Sequence, residues 1–142
     1  MVLVDSEIIT RLVLAAILGA LIGIEREIRR KPAGLRTHAL ICMGAALFTI
    51  VSGNFEADPA RIAAGIVTGI GFLAAGVIFR FENKVHGITT APEIWALAAV
   101  GIAVGAGMYL AAVATTIIVL LLLVPGLALE KDGEQLEKKR KR

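Results

Sequence analysis

The 142-residue sequence is poor in charge, aromatics and cysteine: 19% of its residues are charged, 5% are aromatic, and Cys42 is the only cysteine. A single thiol excludes a disulfide framework. His38 and His86 stand apart from it in spacing, so no zinc signature forms either. Soluble domains carry about 25% charged and about 45–50% apolar residues, whereas this chain is 57% hydrophobic with a mean hydropathy of +0.80. A chain this short cannot hide so much Leu, Ile, Val and Ala without leaving large apolar patches in water. The composition therefore excludes a large soluble enzyme and a disordered basic protein, and points to lipid as the solvent. Catalytic signatures are missing too: there is no G-x-S-x-G, no H-E-x-x-H and no P-loop. The glycines from Gly69 through Gly71 to Gly76 sit in an apolar run that a dinucleotide could not reach. Thr68, Thr115 and Thr116 have no base near them in sequence. A non-enzymatic protein without a cofactor is the expectation.

What is present is a succession of apolar runs. A membrane-spanning helix needs about 20 mainly apolar residues, and five runs qualify: Ile8–Ile24, Thr37–Ser52, Pro59–Phe79, Ala91–Gly105 and Met108–Leu129. They lack the alternation of a barrel, and lipid demands internally satisfied backbone, so the predicted fold is all-α, a polytopic bundle of about five transmembrane helices. Asp58 before Pro59 reads as an N-cap followed by the first helical residue. Thr90-Ala-Pro-Glu93 reads as a capping box on the fourth helix, and Pro125 should kink the fifth or mark its exit.

Basic residues set an orientation. The first loop holds Arg26, Arg29, Arg30, Lys31 and Arg36; the second holds Arg61 beside Glu56 and Asp58; the third holds Arg80 and Lys84; the fourth holds none; and the tail holds Lys131, Lys138, Lys139, Arg140, Lys141 and Arg142. The positive-inside rule then puts the N-terminus outside and the C-terminus in the cytoplasm, with 13 of the 15 basic residues on one side. This divides the chain into a membrane domain, 1–129, and a basic cytoplasmic tail, 130–142, suited to an anionic leaflet. The charges flank spans rather than forming a face, so nucleic acid is not an expected partner. A basic n-region is absent and Arg11 interrupts the first run, which argues against a cleaved signal peptide.

Small residues recur at helical spacing. Gly19 and Gly23, Gly65 and Gly69, and Gly101 and Gly105 each form G-x-x-x-G, the spacing that lets helix backbones approach closely. Most such faces serve packing within the bundle; at least one is expected to meet a second copy in a homodimer or a partner's helix. Among the charges, Arg11 should pair with Glu7 at i, i+4 or snorkel to the interface. Arg26 falls within about 20° of Gly19 on the helix wheel, on the packed stripe, and should reach a carboxylate or carbonyl of another helix. Glu25 and Glu27 point about 200° apart, which disfavours a magnesium cage and favours pairing with Arg29, Arg30 or Arg36.

The run Gly19-Ala-Leu-Ile-Gly-Ile-Glu-Arg-Glu27, continuing to Lys31-Pro-Ala-Gly-Leu-Arg-Thr-His38, resembles the signature of the MgtC/SapB family. So do Asp58-Pro-Ala-Arg-Ile-Ala-Ala64, Gly69-Ile-Gly-Phe-Leu-Ala-Ala-Gly76, Val85-His-Gly-Ile-Thr-Thr-Ala91, Trp95 and Ala98-Ala-Val-Gly101. The resemblance implies a multi-pass protein of the bacterial or archaeal inner membrane, linked to adaptation to low magnesium. It further implies a regulator that docks on a membrane complex such as the F-type ATP synthase. The alternative is a transporter of magnesium or another cation working as an oligomer, with Glu25, Glu27 and Asn83 at one end and Asp58 at the other. Positions that match the motif are Glu25, Arg26, Glu27, Lys31, Pro32, Gly34, Arg36, Thr37, His38, Asp58, Arg61, Gly71, Gly76, Gly87, Thr89, Thr90 and Trp95. Longer members add a soluble C-terminal domain, whereas this chain continues only into its basic tail. Glu93 stands where the family pattern suggests a small or hydroxylic residue, and a role in the helix cap would account for it.

Overall fold

The structure, a computed structural model, describes residues 4–53, 55, 58–82 and 84–123. Five helices follow in order: α1 (Asp5–Ile28), α2 (Leu35–Ser52), α3 (Pro59–Gly76), α4 (Thr90–Gly105) and α5 (Tyr109–Leu123). A short antiparallel hairpin, β1 (Phe79–Phe81) and β2 (Lys84–His86), separates α3 from α4. Each apolar run thus becomes a helix, with shifted ends. α1 runs on through Ile28 because its polar last turn is still bonded along the helix, with Arg29 N–H reaching the Glu25 carbonyl. The expected end of the fifth span at Leu129, the kink at Pro125, Glu56, Asn83 and the tail 130–142 lie outside the described residues.

The hairpin corrects the expectation that the third span continues to Phe79. Phe79, Arg80 and Phe81 pair with His86, Val85 and Lys84, and the Phe79 ring stacks on His86 with centroids 5.2 Å apart. Glu82 turns the chain with φ 53°, the left-handed conformation that two-residue hairpin loops require. Gly87 closes the base of this element at φ 83°, where a Cβ would collide with the Val77 carbonyl oxygen. The aromatic-basic-aromatic sequence of β1 suits cross-strand pairing better than another helical turn.

The helices alternate in direction. α1 packs against α2, α2 against α3 and α4, and α4 against α1, α3 and α5, so α2 and α4 occupy the centre. The Arg29 guanidinium donates to the Leu123 carbonyl at 2.9 Å, which brings the end of α5 beside the end of α1. At the opposite end, Arg11 pairs with Glu7, donates to the Gly105 carbonyl at 2.6 Å and lies over the Tyr109 ring. The expected pair with Glu7 is made, and the bond to Gly105 satisfies one of the carbonyls that a helix C-terminus leaves without a partner. The first loop, the hairpin and residue 123 therefore share one end, as the loop charges anticipate.

The bundle is small inside and large outside. Ala15, Ala45, Ala46 and Ala98 are buried together with Ile22, Leu97, Val100 and Val104. Ile9, Val13, Ile17 and Leu21 form an exposed apolar stripe along α1, and Leu110, Ile117, Ile118, Leu121 and Leu122 do the same on α5. Two helices, α1 and α2, are long and apolar enough to cross a membrane; Ala60–Gly76 of α3, α4 and α5 are shorter apolar stretches.

Candidate functional site

A buried ionic cluster lies where the C-terminal end of α1 meets the N-terminal ends of α2 and α4. Arg26 stands in the last turn of α1, His38 in the first turn of α2, and Glu93 in the first turn of α4; all three side chains are almost wholly buried. The Arg26 Nε lies 2.9 Å from Glu93 Oε2. The N–H does not point along that line, so the contact is coulombic and both atoms lack a directed hydrogen bond. The same guanidinium donates to Thr90 Oγ1 at 3.2 Å and lies 3.6 Å from Glu25 Oε2. His38 Nδ1 donates to the Gly34 carbonyl at 2.9 Å, since a carbonyl can only accept, while Nε2 lies 3.1 Å from Glu93 Oε1.

Arg26 therefore finds the carboxylate on another helix that its position on the glycine stripe demands. The capping box at Thr90-Ala-Pro-Glu93 is corrected: Thr89 is the N-cap and makes no side-chain cap bond, Thr90 accepts from Arg26, and Glu93 turns inward to Arg26 and His38. A buried guanidinium needs a counter-charge more than α4 needs a reciprocal cap. Sequence reasoning had left Glu93 outside the cluster, although an acid displacing a small residue was the available signal.

The neighbouring acids are engaged. Glu25 pairs with Arg29 as well as Arg26, and Glu27 accepts the Leu35 N–H at 2.9 Å, capping α2 from the preceding helix. Among the described residues, no group of three or more His, Cys, Asp or Glu side chains could hold a metal ion. Arg36 and Thr37 are exposed at the rim of the same end, as is Thr89. Trp95 is half-exposed one turn further along α4. Asp58 and Arg61 lie away from the cluster, at the start of α3, where Asp58 Oδ1 accepts from the Ala60 N–H at 2.9 Å and forms the expected N-cap.

The glycine stripes separate into two kinds. A Cβ on Gly19 would lie 2.5 Å from the His38 carbonyl oxygen, one on Gly23 2.6 Å from Leu35 Cα, and one on Gly105 2.6 Å from the Ala46 carbonyl oxygen. One on Gly101 would collide with the Cys42 carbonyl oxygen. These four glycines hold α1 and α4 against α2. Around Gly65, Gly69, Gly71 and Gly76 a Cβ would meet nothing within 4 Å. Gly65 and Gly69 line an apolar groove of about 560 Å³ between α2 and α3, walled by Leu40, Phe48, Ile66 and Leu73.

Comparison with known proteins agrees with the motif-bearing segments. Residues 12–131 match the MgtC family. The chain is 47% identical over 128 residues to the protein named "Putative magnesium transporter YhiD" of Escherichia coli K12, covering 83% of this chain and 60% of that protein. It is 50% identical over 113 residues to "Protein MgtC" of Salmonella typhimurium, covering 79% of this chain and 49% of that one. The chain thus spans about half to three-fifths of the length of these relatives. No solved structure matches.

Proposed function

The chain belongs to the MgtC family, and from that premise we propose that it is a multi-pass inner-membrane regulator, without catalytic activity, that serves adaptation to low magnesium by docking a helix face on a membrane partner complex. The observation that carries this reading is the division among glycine stripes. Those of α1 and α4 are used up inside the bundle, while Gly65 and Gly69 of α3 face an open apolar groove. In lipid, close backbone approach is what an incoming helix needs to gain packing energy, and an α3 face with no Cβ in the way offers it. Homodimerisation would use the same face. By resemblance, the partner is a complex of the F-type ATP synthase kind.

Gly69→Leu tests it. The added side chain has room within the chain, so the variant is expected to insert and to keep the wild-type melting temperature while losing co-purification of its partner complex in mild detergent. Unchanged capture would remove the docking reading.

The transporter reading finds support in the name of the Escherichia coli relative. Against it stand Glu25, Glu27 and Asp58, each already engaged by an arginine or a backbone N–H. Purified protein in liposomes is expected to pass no more magnesium than empty vesicles do. Flux above that background, abolished by Asp58→Ala, would reverse the ranking.

A further inference from the structure

Between the end of α1, the hairpin and the start of α4 lies a cleft of about 870 Å³. Ligand sites fall in the range of about 300–1,000 Å³. Arg26, Arg29, Arg30 and Lys31 line one side, and Thr89 and Thr90 at the N-terminal end of α4 line another. Glu93 and Glu25 answer the charges of Arg26 and Arg29. The exposed Arg30 guanidinium has no hydrogen-bond or ion-pair partner among the described residues, and the buried Nε of Arg26 has no directed one. The cleft is therefore lined by cations, and the Arg30 guanidinium is a donor in it without a protein partner among the described residues.

The backbone makes Arg30 a clean position to vary. α1 ends in a Schellman motif, with the Lys31 N–H on the Arg26 carbonyl at 3.0 Å and the Arg30 N–H on the Glu27 carbonyl at 3.0 Å. α4 ends in the same motif, with Met108 N–H on Ala103 and Gly107 N–H on Val104. There the left-handed position is Gly107 at φ 80°; here it is Arg30 at φ 52°. An arginine stands where the backbone favours glycine, so a glycine there removes the guanidinium without straining the chain.

The geometry points to a binding site for a phosphate-bearing anion in this cleft. Guanidinium groups are the donors that such an anion takes. The exposed Phe81, Val85 and Ile88 at the same end suit the glycerol and acyl portion of an anionic phospholipid; a soluble phosphate is the other source of the same chemistry. The assignment does not depend on the docking reading, because no residue of the α3 groove takes part.

Arg30→Gly is the informative variant, since it removes the cation and relieves the left-handed residue. It is expected to melt at or above the wild-type temperature, and to lose about tenfold in affinity, the loss expected of a hydrogen bond to a charged group. Arg80→Gln, which removes an exposed charge outside the cleft, should change affinity less than about twofold. Full-length protein would be titrated with nanodiscs of phosphatidylglycerol and of phosphatidylcholine, and separately with inorganic phosphate. Preference for phosphatidylglycerol that Arg30→Gly removes assigns a lipid headgroup; binding of inorganic phosphate that Arg30→Gly removes assigns a soluble anion. Equal losses in Arg30→Gly and Arg80→Gln would show a diffuse field and no site, and failure to bind either phosphate source would overturn the proposal.

Discussion

Glu93→Ala is expected to destabilise the bundle by about 3–5 kcal/mol, the cost of breaking a buried ion pair by removing one partner. Arg26 would be left almost wholly buried with only Thr90 Oγ1 and the more distant Glu25 as counter-groups, and His38 Nε2 would lose its partner. Arg26→Ala should cost a similar amount, because Glu93 would then face His38 alone. The double variant Arg26→Ala with Glu93→Ala should recover part of the loss, since two charges leave together. Unfolding of the four proteins in a double-mutant cycle measures the coupling. Additive losses would show that the two side chains stabilise the bundle independently of each other.

The second large effect falls on packing. Gly101→Leu should prevent α4 from docking on α2, because even a Cβ at that position collides with the Cys42 carbonyl oxygen and comes within 2.8 Å of Ala45 Cβ. Overpacking costs about 1–3 kcal/mol, occasionally more, when side chains can shift; here the obstacle is backbone, so the upper end or beyond is expected. Gly101→Ala should fall between Gly101→Leu and the wild type. Gly69→Leu on α3 should cost little, as nothing lies within 4 Å of a Cβ there. Melting temperatures of the three variants in one detergent separate internal glycines from the open face. A Gly101→Leu protein that melts like the wild type would contradict the α2–α4 interface.

The same contrast refines the use of Gly23, which a reading from spacing alone ranks with Gly69 as a docking residue. Its Cβ would lie 2.6 Å from Leu35 Cα, so a leucine there would disturb the α1–α2 contact rather than test a partner. Spacing identifies a close-packing face but not its occupant, because the occupant comes from elsewhere in the chain or from another molecule.

Much of the architecture was legible in the residues themselves. Five apolar runs, the Asp58 cap and the basic first and third loops are local signals: chain segments choose helix by what surrounds them in sequence, and charges mark where helices end. The hairpin at Phe79–His86 was not legible. Phe79 continues the apolar run before it and the rest reads as a charged loop; that this loop pairs with itself as two strands shows only in the structure. Arg26 was legible as a residue that needs a carboxylate, because it sits on a small-residue stripe. Which carboxylate was not: Thr90 lies 64 residues from Arg26, and Glu93 lies 55 from His38.

The sequence alone therefore determined the number of helices, their alternation and the family motif, since each rests on composition or on neighbours along the chain. Only the tertiary structure decided that Glu93 closes the Arg26–His38 cluster, that two glycine stripes are internal and the α3 stripe is open, and that Arg30 overlooks a cationic cleft. Those outcomes depend on which helix ends meet. That is settled by long-range packing, which no local pattern encodes.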